Sequence, residues 1–524
     1  MWWMIMNQKI ETNSMGLSKP FWVVWGVELW ERFGYYGVQA IIALYFVQQL
    51  GFSEKESMYI FGAFSAFVFG FVWIGGFIGD NVLGAKRTVI LGTVVLLLSY
   101  IALALADHKT VYFALGGIIV GNALFKANPS SLISKMFKKG DPRLDGAMTM
   151  YYMAINVGSF VSMSITPAVS EVYGWHAAFW ICAAGLFLGL LNFTIFYRLL
   201  DGLSTNAGRK VLNWSKLFVV ICLSAIAVVA FGILLQYPML CFVLVYIVVA
   251  IGFTYFLFLA FRQKPGTRAR MLIAFILMIE AVIFYVLYNQ MPTSLTFFAQ
   301  NNINNNILGF QLSPAQYQVL NPFFIVLFSP LLAIFYKSIK STHATKFCIG
   351  MTFCGLAFLS LFFARWTSSI VLAQPWWTAT MASPVGMSAW SFDVGLSSPW
   401  WLVLSYALQA IGELLVSGLG LAMVAELCPA AFSGFVMGVW FLTSMLAGPI
   451  GAKVGGLTSV PTDVYMTTAM SLERYTQVFG WIGLVVLGVA LLMWIIRPLL
   501  NKFINVPEHG PENHEALDTI EPHS

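Results

Sequence analysis

Val27-Glu28-Leu29-Trp30-Glu31-Arg32-Phe33-Gly34-Tyr35-Tyr36-Gly37-Val38-Gln39 sets two acids and a guanidinium inside a run that is otherwise apolar and aromatic from Phe21 to Phe46. At helical spacing Glu28, Glu31, Arg32, Tyr35, Tyr36 and Gln39 fall at i, i+3, i+4, i+7, i+8 and i+11, one continuous stripe. Such a stripe cannot face lipid, where a charge at the bilayer centre costs ~2.5–3.5 kcal/mol. It must line the interior of a helix bundle or a water-filled cavity. Two carboxylates one turn apart beside one guanidinium also make a site where a proton can be taken up and given back. A static ion-pair staple between helices is the competing reading of the same residues.

The rest of the chain agrees that this stretch lies in a membrane. Of 524 residues 59% are hydrophobic and 10% charged, against ~45–50% and ~25% for soluble proteins. So few charges cannot cover a soluble surface, which excludes a nucleic-acid binder, a disordered scaffold and an ordinary cytosolic enzyme. The six cysteines have no metal-ligand spacing and read as small hydrophobes. Met1 to Met6 is too short for a signal h-region, so the first span is expected to double as an uncleaved insertion signal.

Apolar runs between polar breaks predict fourteen helices, at 20–49, 56–79, 88–106, 111–134, 144–169, 175–197, 214–235, 238–261, 270–299, 315–336, 346–364, 400–425, 430–456 and 475–496. An even count puts both termini on one side. Of the 28 Lys and Arg, 21 fall in the segments of that side, among them Lys86, Arg87, Lys135, Arg209, Lys210, Lys216, Arg268 and Arg497. Only Lys55, Lys109, Arg365, Lys453 and Arg474 fall opposite, and Arg32 and Lys126 lie within spans. The positive-inside bias therefore predicts cytoplasmic termini. Residues 365–399, with Trp366, Trp376, Trp377 and Trp390, read as an external loop lying on the outer headgroups. The acidic tail 501–524 reads as disordered.

Six ionisable residues sit inside spans: Glu28, Glu31, Arg32, Lys126, Glu280 and Glu413. Asn122 and Lys126 share a face, and Lys126 lies nine residues (~13 Å) from the basic loop, too far to snorkel easily, so a partner among Glu28 and Glu31 is expected. Tyr152 and Asn156 form an i, i+4 pair on the fifth span, which interhelical hydrogen bonding would explain equally well. Glu413, flanked by glycines, has Ser417 one turn on. Asn289 and Gln290 precede Met291-Pro292, and Asn321 precedes Pro322; both prolines can free backbone groups in mid-membrane. Glu280 reads equally as a packing carboxyl or a functional one. His108, His176 and His343 join no metal or triad pattern. Gly75-Gly76-Phe77-Ile78-Gly79-Asp80 lacks the Lys-Ser/Thr of a phosphate-binding loop, so ATP is not expected to power the protein.

Gly76-x-x-Gly79-Asp80-x-x-x-Gly84-x-Lys86-Arg87, between spans two and three, resembles the loop signature of the major facilitator superfamily. Glu28-Leu29-Trp30-Glu31-Arg32-Phe33-Gly34-Tyr35-Tyr36 resembles the ExxERFxYY signature of the proton-dependent oligopeptide transporters, and the likeness continues through the Lys126, Tyr152/Asn156 and Glu413/Ser417 segments. The resemblance, to bacterial members, implies an all-α integral membrane protein: two six-helix bundles at 20–199 and 268–500, an inserted helix pair within 200–267, and terminal segments 1–19 and 501–524. It implies proton symport of di- and tripeptides by alternating access in a bacterial inner membrane, with protons as coupling ion, no other cofactor, and no nucleic-acid or ATP partner. Carried over residue by residue, Arg32 and Lys126 would hold the peptide carboxylate, and Glu28 and Glu31 would handle protons together with Arg32, Lys126 and Glu413. Asn156, Asn321 and Glu413 would receive the amino terminus, beside Asn289 and Ser417. Tyr36 and Tyr152 would line the cavity, and Trp440 would form a side-chain pocket.

Three positions depart from that pattern. Gln39 and Asn289 stand where relatives often have an Arg and a Glu, so closure on the outside must rest on hydrogen bonding or packing. Phe69 replaces a common Tyr. A facilitator for another amphoteric solute and a membrane-embedded enzyme are the rival readings; the enzyme would need catalytic acids or a metal site in its loops, and the longest loop has only Asp393.

Overall fold

The computed structural model describes residues 17–138, 141, 143–338, 342–366, 396–429, 432–459 and 466–504. The greater part of loop 365–399 and of the acidic tail, with the readings attached to them, lies outside the described residues.

The N-terminal bundle comprises α1 (Lys19–Gln48), α2 (Glu54–Gly70), α3 (Val72–Asn81), α4 (Ala85–Ala104), α5 (Val111–Phe125), α6 (Asn128–Ser134), α7 (Arg143–Tyr173) and α8 (Trp175–Ile195). After the short α9 (Asn206–Arg209) come the inserted α10 (Trp214–Leu235) and α11 (Pro238–Phe261). The C-terminal bundle comprises α12 (Pro265–Tyr288), α13 (Ser294–Asn302), α14 (Leu320–Ser338), α15 (His343–Phe362), α16 (Trp400–Leu427), α17 (Ser433–Gly456) and α18 (Thr468–Ile504). A two-stranded ribbon, Asn306–Ile307 against Phe310–Gln311, lies between α13 and α14. Among the described residues thirteen spans are long and apolar enough to cross a membrane. The thirty-residue α1, which carries Glu28, Glu31 and Arg32, completes the expected fourteen.

Three spans that the hydropathy pattern reads as single helices are broken. The second divides at Phe71 into α2 and α3. The fourth divides at Lys126 into α5 and α6, because Pro129 has no N–H to give the carbonyl four residues back and its ring crowds that turn. Asn128 repairs the break: its Nδ2 donates to Leu124 O at 2.7 Å and across to Gly75 O at 3.1 Å. The span expected at 270–299 ends as α12 at Tyr288 and resumes as α13 at Ser294, with Pro292 in the gap.

Helix α1 is buried on nearly every side because small residues let its neighbours close on it. A Cβ on Gly158 of α7 would meet Leu29 O at 2.5 Å, and one on Gly185 of α8 would meet the Phe33 ring at 2.6 Å. Trp30 and Phe33 thus face α8, which turns the polar stripe of α1 inward. The inserted pair straddles the bundles: α10 packs on α5 and α11 on α17. Its outer face is apolar and exposed, as at Phe218, Ile226 and Ile251, and would lie against lipid.

The two bundles meet at the end that the charge count assigns to the outside. Gln318 Nε2 donates to Ala40 O at 3.0 Å, Gln316 Nε2 to Ser164 O at 2.9 Å, and Asn301 Nδ2 to Glu54 Oε1 at 2.7 Å. Gly62 and Gly448 bring α2 and α17 together so closely that a Cβ on Gly62 would stand 2.6 Å from Ala452 Cβ. If this contact is the outer closure, Gly62→Leu should hold it ajar, lowering stability by ~1–3 kcal/mol. Ser65→Cys should then react faster with a membrane-impermeant maleimide added outside; unchanged labelling would contradict the assignment.

Candidate functional site

A cavity of about 490 Å³ lies between the bundles. Of the residues singled out from the sequence, Glu28, Arg32, Tyr36, Lys126, Tyr152, Asn156, Asn289, Asn321, Glu413 and Ser417 all line it. Glu31 lies behind Arg32, fully buried. Trp440 is also behind the wall, its ring 6.3 Å from Tyr285 and pressed on Gly420, where any Cβ would overlap it. Glu280 stands apart from the cavity, 2% exposed, with neither carboxylate oxygen hydrogen-bonded.

On the N-terminal side Arg32 Nη2 meets Glu31 Oε2 at 2.5 Å, and its Nε lies 3.4 Å from Glu28 Oε1. Asn122 Nδ2 reaches the other Glu31 oxygen at 3.5 Å. Glu28 Oε2 is buried without a hydrogen-bond partner. The expected pairing of Lys126 with Glu28 or Glu31 is not made: the Lys126 ammonium sits over the Phe69 ring, 4.2 Å from its centroid. Lys126 keeps helical backbone, its N–H donating to Asn122 O at 2.9 Å, and the aromatic ring offers the cation an attractive surface.

On the C-terminal side Glu413 Oε2 accepts from Asn321 Nδ2 at 2.7 Å, and Ser417 Oγ pairs with the Tyr285 hydroxyl at 3.1 Å. Asn289 Oδ1 accepts from Ser65 Oγ of the N-terminal bundle at 3.3 Å. Asn156 Nδ2 donates to Tyr152 O at 3.1 Å within α7. Sequence reasoning passed over Tyr151, Tyr285 and Tyr288, which also line the cavity. Tyr285, Tyr288 and Asn289 stand at i, i+3 and i+4; extending the polar face back from Asn289 would have found both tyrosines.

The site therefore has a cationic wall on one bundle, an acidic wall on the other, and aromatic and amide groups between. Lying between two helical bundles that meet at one end, it has the form of a transporter's central site. The POT family model matches residues 86–482, and the chain belongs to that family. It is 42% identical over 525 residues to dipeptide and tripeptide permease B of Aeromonas hydrophila, covering 98% of this chain and 99% of that one. To dipeptide and tripeptide permease A of Escherichia coli K12 it is 44% identical over 501 residues, 95% of each chain. A solved bacterial homologue of the human drug peptide transporters superposes with a TM-score of 0.78 at 34% identity, over 92% of this chain and 98% of the other. A peptide transporter solved in complex with alafosfalin gives 0.78 at 28% identity, over 95% and 98%.

Each wall generates an expectation. Glu413→Gln removes a charge-assisted hydrogen bond, worth ~1.5–3 kcal/mol, and should weaken binding of a zwitterionic ligand by roughly 10- to 100-fold. Lys126→Gln should do the same for ligands with a free carboxylate and spare those in which it is amidated. Microscale thermophoresis on purified protein reads both; equal losses for free and amidated ligands would remove Lys126 from carboxylate recognition.

Proposed function

We propose that this protein imports di- and tripeptides by proton symport, alternating the access of the central cavity between the two faces of a bacterial inner membrane, with both termini in the cytoplasm. One observation carries the reading: Arg32 and Lys126 on one bundle stand across the cavity from Glu413 and Asn321 on the other. A zwitterionic peptide is the solute whose two ends match those walls. About 490 Å³ falls in the range of small-ligand sites, ~300–1,000 Å³, and suits a short peptide.

Protons are the coupling ion in this reading, and no other cofactor is needed. Glu28, Glu31 and Glu413 oppose Arg32 and Lys126, so one carboxylate in this group has no matching cation. A zwitterion adds no net charge, and a single proton restores balance. Protonation of Glu28 or Glu31 relaxes the hold on Arg32, freeing it for the peptide carboxylate and shifting the population between inward- and outward-open states. The co-transported charge lets an inside-negative potential favour uptake by ~2.3 kcal/mol per 100 mV.

Reconstituted into liposomes, the protein should accumulate labelled dialanine against its gradient when an inward proton gradient is imposed. Glu31→Gln should keep exchange of dialanine across the membrane and lose uphill accumulation. Uphill accumulation by Glu31→Gln would refute the coupling assignment. Competition by free amino acids as strong as that by di- and tripeptides would refute the substrate class.

A further inference from the structure

Two cavities lie along α4 where the first inserted helix, α10, meets the N-terminal bundle, and the transport site uses neither. The first, about 260 Å³, lies at the end of α3 and α4 that the charge count assigns to the cytoplasm; Asp80, Arg87, Lys210, Asn213 and Lys216 are among its walls. The Arg87 guanidinium is held in place by the carbonyls of Leu83 (3.3 Å) and Lys210 (3.0 Å). Asp80, the only acid among these walls, lies 3.6 Å from Lys135. Among the described residues no carboxylate lies within ion-pair distance of Arg87, Lys210 or Lys216, so three cations converge on one space. Beside it Val211, Trp214 and Phe218 are 93%, 74% and 68% exposed, the amphipathic signature of a helix entering hydrocarbon.

The second cavity, about 550 Å³, is apolar, with Leu91, Val95, Leu98, Ile221, Ala225 and Val228 among its walls. Arg87, Leu91, Val95 and Leu98 fall at i, i+4, i+8 and i+11 of α4, so one helix face leads from the cationic space into this trough. From Leu91 to Ala102 the trough runs ~16 Å at 1.5 Å per residue, close to half of the ~30 Å hydrocarbon core.

We propose that the two cavities form one site for an anionic phospholipid of the cytoplasmic leaflet. Its phosphate sits among Arg87, Lys210 and Lys216, and one acyl chain lies along the trough between α4, α5 and α10. Convergent cations at headgroup depth select an anionic headgroup, and the trough beneath selects a lipid over a soluble anion. The bound lipid holds α10 on the N-terminal bundle, where Gly116 and Gly232 already bring α5 and α10 into close approach.

Native mass spectrometry of the full chain in mixed micelles of phosphatidylglycerol and phosphatidylcholine tests this. The parent protein should retain phosphatidylglycerol preferentially. Each cation near a membrane surface contributes ~1 kcal/mol, about fivefold, so Lys210→Gln with Lys216→Gln should cut the preference about 25-fold, and Lys210→Arg with Lys216→Arg should keep it. Ala225→Trp, which fills the trough without altering charge, should also lower retention, while inorganic phosphate should not compete. Dialanine exchange by all variants checks that they fold. Equal retention of the two lipids, or a preference untouched by the double Gln variant, overturns the proposal. So does displacement by inorganic phosphate with no effect of Ala225→Trp, the result for a soluble-anion site.

Discussion

Arg32, 2% exposed and clasped by Glu31 with Glu28 at 3.4 Å, imposes the terms on which this structure exists. Uncompensated ions are prohibitively costly in hydrocarbon, and removing one member of a buried pair costs ~3–5 kcal/mol. The cluster must therefore be enclosed by protein or open to water. Both conditions are met by packing the apolar side of α1 against glycines of α7 and α8 and leaving its polar stripe to a cavity. The two-bundle architecture follows from that constraint, since a single bundle could bury the stripe but could not expose it to alternate sides.

Small residues decide how closely the bundles approach each other. At the end that the charge count assigns to the outside, the bundles are joined by a few side-chain-to-backbone hydrogen bonds and the Gly62–Gly448 approach, together with the Asn301–Glu54 contact. Each such bond contributes ~0.5–1.5 kcal/mol net, so the set is strong enough to hold one state and weak enough to be released by a ligand or proton with similar differential energy. A buried Arg–Glu pair at Gln39 and Asn289 would have tied closure to an ion pair; neutral residues leave it to packing. In the proposed mechanism gating and proton coupling are thereby separated in space, with the Glu28, Glu31 and Arg32 cluster apart from the contacts that join the bundles.

Much of this was legible from the chain. The helical stripe from Glu28 to Gln39, the fourteen apolar runs and the mid-span Glu413 depend on period and composition, which are local. What was not legible depends on contacts between distant segments. Hydropathy cannot see that Pro129 ends α5 and that Asn128 crosses to Gly75 to heal the break, because an apolar run remains apolar across a kink. Nor can it place Trp440 behind Tyr285 rather than at the cavity, since that depends on how α17 lies against Gly420. Tyr285 and Tyr288 were hidden for a simpler reason: near the end of a span tyrosine reads as part of an interfacial aromatic belt, and only its register with Asn289 distinguishes a lining residue.

The fate of Lys126 shows why its departure from expectation matters to the proposed mechanism. Had it paired with Glu28 or Glu31, a ligand carboxylate would first have to break a buried ion pair, at several kcal/mol. Resting instead on Phe69, it leaves an interaction worth ~0.5–2 kcal/mol, which a carboxylate at contact distance readily replaces. Arg32 is in the opposite condition, held by two carboxylates until a proton weakens one of them. In the proposed mechanism the two cations would thus divide the work: Lys126 is open to a peptide at any time, whereas Arg32 would become so only when a proton has arrived. Phe69, by supplying no hydroxyl and no charge, is what keeps the first of these cations free.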